Sequence, residues 1–384
     1  MRIIYFTTAQ EEKDYRSFMN QWKIALNPSN QNFHNKLIRA LAIENKVDVI
    51  SIRPFSRKNM KVKKLPFEEK TEGKITWHYL SRSGLKLLRT ANLVPEAKKV
   101  FKKLDKKDAV ILTDTINPSV LRTVTKINSK VKLPIFGICT DSPSNISGTT
   151  KSYTTYLLSH SDNFNGYISL TQGLNDLYNP NKKPNLIIEG IVENREEKEE
   201  KMNEKPYFFF GGALMEKYGV FNLIKAFKRL HDENIDLIIC GHHGDKTKIR
   251  DEIGKNTNIK FIGLIPVKDV LRYETNCIAT INPRPFSEDL DRYSIPSKTL
   301  EYMSCGKPVI SVRNSILMEK FPEEIIWINS SEVGDVEKGL KQVLSMTEKE
   351  REMFGFQSKN RVLELYSLKS VSTIINNYLK QFIS

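Results

Sequence analysis

Short apolar runs ending in polar turns recur along this chain and alternate with helical periodicity, and the series is interrupted once, at residues 193–205 (ENREEKEEKMNEK). Strands buried on both faces read as near-continuous apolar runs, and when helices separate them the sheet they form is parallel. In the first half such strands fall at 2–6, 47–52, 109–112, 135–139, 167–170 and 186–187, with an amphipathic helix over 33–43 and a lysine-rich helical stretch over 84–107. Beyond the hydrophilic run, strands at 207–210, 236–240, 259–262, 278–282 and 308–312 alternate with helices over 220–231, 267–273 and 298–304. Residues 193–205 keep no apolar period and read as a linker, the alternative being an exposed helix inside one domain. The expected fold is α/β, with two doubly wound Rossmann-like domains at 1–190 and 206–365. Ligands of such sheets bind beyond the carboxyl ends of the strands, here in a cleft that the two domains face.

A chain of 384 residues suits two cores of this size. No stretch approaches the ~18 uninterrupted apolar residues of a membrane span, and the opening MRIIYFTTAQ holds too short an apolar run for a signal peptide. Cys139, Cys240, Cys277 and Cys305 form no C-x-x-C pair and no zinc spacing. They read as small core residues in a reducing compartment, so a cytoplasmic location is expected.

The formal charge of +15 is unevenly spread. Residues 1–190 hold 31 Lys+Arg against 16 Asp+Glu, whereas residues 191–384 hold 29 of each. The first domain is therefore expected to face something anionic. Arg57, Lys58, Lys61, Lys63 and Lys64 form one basic cluster, and Lys86, Arg89, Lys98, Lys99, Lys102, Lys103, Lys106 and Lys107 another. Leu85, Leu87, Leu88, Leu93 and Val94 interleave with the second and suggest an interfacial helix at an anionic membrane surface. A plain solvated face is the bland alternative. Nucleic acid is not expected, because no nucleic-acid motif or aromatic stacking platform accompanies the charge.

The stretch 207–311 carries the chemistry. FFFGGALMEKYG runs a strand into Gly211-Gly212, LIICGHHGD ends a strand in a glycine loop at Gly241, and IKFIGLIPVKDV and INPRPFSEDLDRYSIPSKTLEYMSCGKPVIS follow in order. Paired glycines after a strand let backbone approach a phosphate or sugar closely. In this order the segments resemble the donor-binding domain of the GT-B glycosyltransferases, in particular family 4, which builds bacterial surface polysaccharides. The resemblance implies a retaining, metal-independent transfer from a nucleotide-diphosphate sugar to a lipid-linked or glycan acceptor, with no cofactor. It also implies a C-terminal helix within 366–384 that returns to the first domain, and an enzyme peripheral at the inner face of the cell membrane.

Under that reading Glu301, one turn inside a helix, accepts hydrogen bonds from ribose hydroxyls. The helix start, with free N–H groups at Ser297 and Lys298, takes the diphosphate. The Lys298 ammonium and the Arg284 guanidinium neutralise the leaving group. Gly211, Gly212, Lys217, Gly241, Ile265, Tyr293 and Leu300 complete the donor set. The chain departs from the family in carrying Tyr293 where many members have a first glutamate, Ala213 and Tyr218 where many have Arg and Lys, and Pro296 in place of a glycine. Lys217 is the nearest substitute for the missing lysine. Asp289-Leu-Asp291 spells a metal-binding D-x-D but reads as a solvated acidic loop, and His242-His243 reads as a loop as well.

In the first domain, NPSNQNFHNKLIRALA occupies the place of the family's glycine-rich loop. Ser29, Asn30 and Gln31 are expected to face the donor phosphate, with Ser29 or Asn30 capping the helix. His34 is as readily a core or surface residue as a functional one. Asp141, after a strand end, is the candidate to position an acceptor hydroxyl or the donor sugar, and Asp114 is a weaker one. A nucleotide-sugar epimerase of the same fold and a non-catalytic scaffold are the other functions compatible with these residues.

Overall fold

A computed structural model describes residues 1–22, 28–55, 60, 62–84, 92–146, 149–195, 201–242 and 244–383. The strands of the first half are β1 (Arg2–Thr7), β2 (Lys46–Ser51), β3 (Lys64–Leu65), β4 (Glu68–Glu72), β5 (Ile75–Tyr79), β6 (Arg82–Ser83), β7 (Ala109–Asp114), β8 (Ile135–Cys139), β9 (Gly166–Ser169) and β10 (Asn185–Ile187). Eight form one sheet in the order β10-β9-β8-β7-β1-β2-β5-β4, parallel throughout except for the antiparallel hairpin β4–β5. β3 and β6 make a separate two-stranded ribbon. Successive side chains of a strand point to opposite faces. Ile4 and Phe6 thus pack beneath helices Leu93–Lys103 and Pro118–Val131, while Ile3 and Tyr5 pack beneath Pro28–Leu41 and the C-terminal helix Leu368–Lys380. Both faces are buried, which is why β1, β7 and β8 are apolar runs rather than alternating ones.

The second half supplies β11 (Tyr207–Ala213), β12 (Asp236–His242), β13 (Ile259–Gly263), β14 (Ala279–Asn282), β15 (Val309–Val312) and β16 (Ile326–Ile328), all parallel in the order β13-β12-β11-β14-β15-β16. The chain divides into one unit of Met1–Ile191, Arg292–Ser294 and Leu368–Ser384, and another of Val192–Asp291 and Ile295–Ser367. The C-terminal helix belongs to the first unit. Its Val371, Ile375 and Leu379 enter that core, and Asn45 Nδ2 donates to Asn376 Oδ1 at 2.8 Å.

The hydrophilic run is not a free linker where it is described. Arg195 is largely buried and pairs with Glu274 at 2.5 Å, and Asn203 Nδ2 donates to Asp236 Oδ2 at 2.7 Å. Both ends of the run are tied to the second unit, because a buried carboxylate there needs a cation or donor. All four cysteines are buried and unpaired. Among the described residues no helix is long and apolar enough to cross a membrane.

Candidate functional site

In the second unit the strand order reverses between β11 and β14, and open α/β sheets bind ligands beyond the strand ends at such a reversal. Glycines let the loops there interlock. Gly241, at φ +153°, lies so close to β11 that a Cβ would stand 1.8 Å from the Gly212 carbonyl oxygen. Gly219, at φ +79°, starts helix Val220–Lys228 with its Cβ position 2.1 Å from the Pro283 oxygen, in the loop after β14. Only glycine allows these approaches, so the loops after β11, β12 and β14 form one backbone-lined surface.

The short helix Ser297–Met303 is pinned over this point by two side chains. Tyr302 Oη accepts from Gly211 N (2.9 Å) and donates to Gly211 O (3.1 Å), and Asn282 Nδ2 donates to Thr299 Oγ1 (2.8 Å). One helix thereby touches the ends of both strands flanking the reversal. Behind it lies a charge network. Glu274, 1% exposed, meets Arg195 at 2.5 Å and Lys298 at 3.6 Å, and Arg195 also lies 4.0 Å from Glu301. Lys298 Nζ sits 5.3 Å above the Tyr302 ring, and Glu301 and Lys298 keep part of their side chains accessible.

Several expectations change. Gly211 does not offer its backbone to a ligand, since the Tyr302 hydroxyl occupies both its N–H and its C=O; Gly212 and Gly241 remain as the glycine backbone at the reversal. The Ser297 N–H is not free, because the preceding turn folds back and it donates to Ile295 O at 2.8 Å. Leu300 is a core residue, 1% exposed among Val309, Leu317 and Phe321, as a helix facing its own sheet requires. Tyr293 packs at the edge of the first unit's core, in the three-residue excursion Arg292–Ser294, whose Arg292 carbonyl accepts from Thr171 Oγ1 at 2.8 Å. Asp291 is no solvated loop residue. It is 7% exposed, pairs with Arg284 at 3.2 Å and accepts from Ser287 N, and burial raises its carboxyl above the usual range. Ile265 is half-buried beside the Tyr207–Phe209 cluster, and Lys217 is exposed, its Nζ 5.4 Å from the Tyr218 ring. His243 and the side chains of His242 and Asp289 lie outside the described residues. Among the described residues no group of three His, Cys, Asp or Glu side chains is placed to hold a metal.

The first unit reverses its strand order at β1 and β7, and buried ionisable groups collect there. Tyr5 Oη and His34 Nδ1 are 2.6 Å apart, and His34 Nε2 lies 3.7 Å from Asp114 Oδ2. Among the described residues neither Nε2 nor Oδ2 has a hydrogen-bond partner. Burial lowers His34 to about 3 and raises Asp114 to about 7. Asp141, after β8, is raised to about 6 by burial and then by the Asp114 charge. Shifted carboxyls cluster at functional sites, and structural ion-pair networks shift them as well.

The second helix, Pro28–Leu41, has Pro28 as its first residue, so Ser29 and Asn30 stand inside it and neither is its cap. Ser29 is exposed; Asn30 is buried and donates to Thr140 Oγ1 at 3.4 Å. Gln31 is held on backbone, accepting from Gln10 N (3.0 Å) and donating one of its two amide hydrogens to Gln10 O (2.6 Å). The interfacial-helix expectation fails at Leu93, which is 1% exposed and lies with Ala97, Val100 and Phe101 in the core. Leu85, Lys86, Leu87, Leu88 and Arg89 lie outside the described residues, as do Arg57, Lys58 and Lys61. What helix Leu93–Lys103 presents outward is charge, with Lys99, Lys102 and Lys103 exposed.

Sequence reasoning missed Arg195 and Glu274. Arg195 sits in a charged run, and Glu274 ends a helix read only for its apolar positions, so nothing local separates either from a solvated charge.

Two doubly wound parallel units are the fold of the GT-B glycosyltransferases. Residues 192–367 match the family described as "Glycosyl transferases group 1", so the second unit carries a group 1 glycosyl transferase domain. Sucrose-phosphate synthase from Thermosynechococcus elongatus is similar in structure over 99% of both chains, with TM-score 0.70 and 12% identity. An E. coli trehalose-6-phosphate protein bound with UDP-2-fluoro glucose matches over 99% of both chains at TM-score 0.70 and 10% identity. Anabaena HepE in complex with UDP matches over 99% of this chain and 100% of its own, at TM-score 0.66 and 12% identity. Identities this low carry the fold alone. No curated protein matches the sequence.

Proposed function

We propose that this chain is a glycosyltransferase that moves a sugar, with retention of configuration and without a metal, from a nucleotide-diphosphate sugar to a lipid-linked or glycan acceptor in cell-surface polysaccharide or glycolipid synthesis, as family 4 enzymes do. The observation carrying the reading is the helix Ser297–Met303, held at the strand reversal of a group 1 domain by Tyr302 and Thr299 with Lys298 and Glu301 on it. Glu301 accepts from the ribose hydroxyls. Lys298 and Arg284 stabilise charge on the leaving diphosphate, and the diphosphate itself takes the acceptor proton. Asp141 positions the acceptor hydroxyl or the donor sugar. Two nucleotide-bound structural neighbours, one with UDP and one with a UDP-sugar analogue, support a nucleotide-sugar donor.

Glu301→Gln keeps the side chain's shape and removes its charge, so donor-nucleotide affinity should fall by about 1.5–3 kcal/mol, the worth of a charged hydrogen bond. Calorimetric titration with nucleoside diphosphates measures this. Equal affinity in a folded variant removes Glu301 from the ribose site. Product analysis with donor alone separates transfer from epimerisation, and a protein that binds no nucleotide at all is a scaffold.

The membrane part of the proposal rests on charge. Reversing Lys98, Lys99, Lys102 and Lys103 to Glu changes the helix by eight charges. At about 1 kcal/mol per lysine near anionic lipid, vesicle binding should be abolished, with nucleotide affinity unchanged. If wild-type protein binds anionic and neutral vesicles alike at low salt, the basic face is a plain solvated surface or a site for a soluble anionic acceptor.

A further inference from the structure

The first unit contains a cavity of about 270 Å³ between helix Glu12–Trp22, the β3 strand and the ends of β2 and β5. It is separate from the Asp114–Asp141 cluster, and none of the roles above uses it. One wall is apolar. Phe18, Leu65 and the half-buried Trp22 belong to a small cluster with Phe55 and Met60. The opposite wall is built of planar polar groups held in place. Arg53, 5% exposed, lies 5.2 Å over the Tyr79 ring, donates from Nη1 to Glu68 Oε1 at 2.8 Å, and donates from Nη2 to the Pro66 carbonyl. Tyr79 Oη donates to Asp14 Oδ2 at 2.8 Å, and Lys70 fixes the other Asp14 oxygen at 3.1 Å.

Two buried donors of this wall, Arg53 Nε and Gln10 Nε2, have no partner among the described residues. Buried polar atoms are normally satisfied, so each such atom calls for an explanation. Both are closed to solvent; Glu68 and Pro66 hold the Arg53 guanidinium, so Gln10 is the side chain whose rotation brings its unmatched donor to a ligand.

The ionic lining cancels, Arg53 and Lys64 against Asp14 and Glu68, so the cavity has no excess of positive charge to draw a phosphate or carboxylate. An aromatic face opposite planar amide, carboxylate and guanidinium groups is the chemistry that recognises a neutral sugar ring, with C–H bonds against the aromatic face and hydroxyls toward the fork-shaped polar groups. The volume lies just below the ~300–1,000 Å³ of sites for drug-sized ligands, and suits one ring. The geometry points to this cavity as a subsite for a neutral hexopyranose unit of the acceptor, an assignment that rests on the transferase reading above.

Saturation-transfer NMR on the full chain tests it with four probes at about 20 mM, well above the millimolar Kd of a single-ring ligand: methyl glucopyranoside, methyl mannopyranoside, glucose 6-phosphate and uridine. At least one neutral pyranoside should bind, and Trp22→Ala should weaken it at least about tenfold. Gln10→Ala, which leaves the apolar cluster intact, should weaken it about three- to tenfold through the lost hydrogen bond. Both variants should keep wild-type nucleoside-diphosphate affinity, which lies with the second unit. No transfer to either pyranoside overturns the inference, and so does binding of glucose 6-phosphate or uridine that is lost in Trp22→Ala and is tighter than that of both pyranosides. If nucleotides bind and pyranosides do not, the cavity assignment alone has failed. If pyranosides bind at Trp22 and no nucleotide binds anywhere, the cavity is a sugar site and the transferase reading has failed.

Discussion

Replacing Arg195 by Met is expected to destabilise the second unit by about 3–5 kcal/mol, the cost of leaving a buried ion without its partner. The ion is Glu274, 1% exposed and 2.5 Å from the guanidinium. Arg195 is itself fixed, because Lys359 Nζ donates to its carbonyl at 2.5 Å. The loss should reach the donor site as well as the stability. With Arg195 gone, Lys298 at 3.6 Å is the cation left to neutralise Glu274, and an ammonium committed there is withdrawn from the diphosphate. Nucleotide affinity should therefore fall with stability. The double variant Arg195→Met, Glu274→Gln separates the two causes. It removes both buried charges, so it should recover most of the stability, and it frees Lys298, so nucleotide affinity should return. Denaturant midpoints followed by nucleotide titration give both quantities. A single variant within about 1 kcal/mol of wild type would falsify the network, as would a double variant no better than the single.

The parts of this fold that could be read from the sequence are those where burial is uniform. β1, β8 and β14 are apolar runs because helices cover both faces of their sheets, and a run of that kind is visible residue by residue. Hairpin β4–β5 escaped because Glu68–Glu72 is nearly all charged and exposed at the sheet edge, where pairing rather than burial makes the strand. Helix Glu348–Tyr366 escaped for a related reason. It buries only Gly355, Ser358, Val362 and Tyr366, and small or polar residues leave no apolar stripe to detect. The site divides in the same way. Lys298 and Glu301 could be proposed because a turn followed by a helix start is a local pattern. The roles of Tyr302 and Gly211 could not, since a hydroxyl bonded to a backbone 91 residues away leaves no mark on either segment. Leu300 was misplaced for want of the helix's phase. Only the position of the sheet decides which side of Ser297–Met303 is buried.

Asp114→Asn is expected to stabilise the first unit at pH 8 and to lose that advantage on acidification. Asp114 is fully buried at the end of β7, with Oδ1 accepting from Ile116 N at 2.9 Å and Oδ2 without a partner among the described residues. Burial raises its pKa to about 7 from an unfolded value near 3.9. A carboxyl with a raised folded pKa contributes its full stability below about pH 4. It loses that contribution as pH climbs through 7, because the folded state must then hold a desolvated charge. A rise of that size is worth on the order of 4 kcal/mol at pH 8, and asparagine keeps the shape without the charge. His34 works in the opposite sense. Burial lowers it to about 3, so the stability it lends is present above pH 6.5 and is lost as pH falls. It is present in both proteins, so its own burial cancels in the difference, which reports the Asp114 carboxyl together with its 3.7 Å contact to His34. The variant should lead by several kcal/mol at pH 8 and by less than about 1 kcal/mol at pH 4. Asp141 provides an independent readout. Burial is the larger cause of its rise to about 6 and Asp114 is mostly protonated where Asp141 titrates, so its pKa should drop only slightly in the variant, as carboxyl carbon NMR can follow. If Asp141 positions the acceptor, the acid limb of the pH–rate profile should move down with it. A stability difference that does not change between pH 4 and pH 8 would show that Asp114 is ionised throughout and that His34 or water balances its charge in the folded protein.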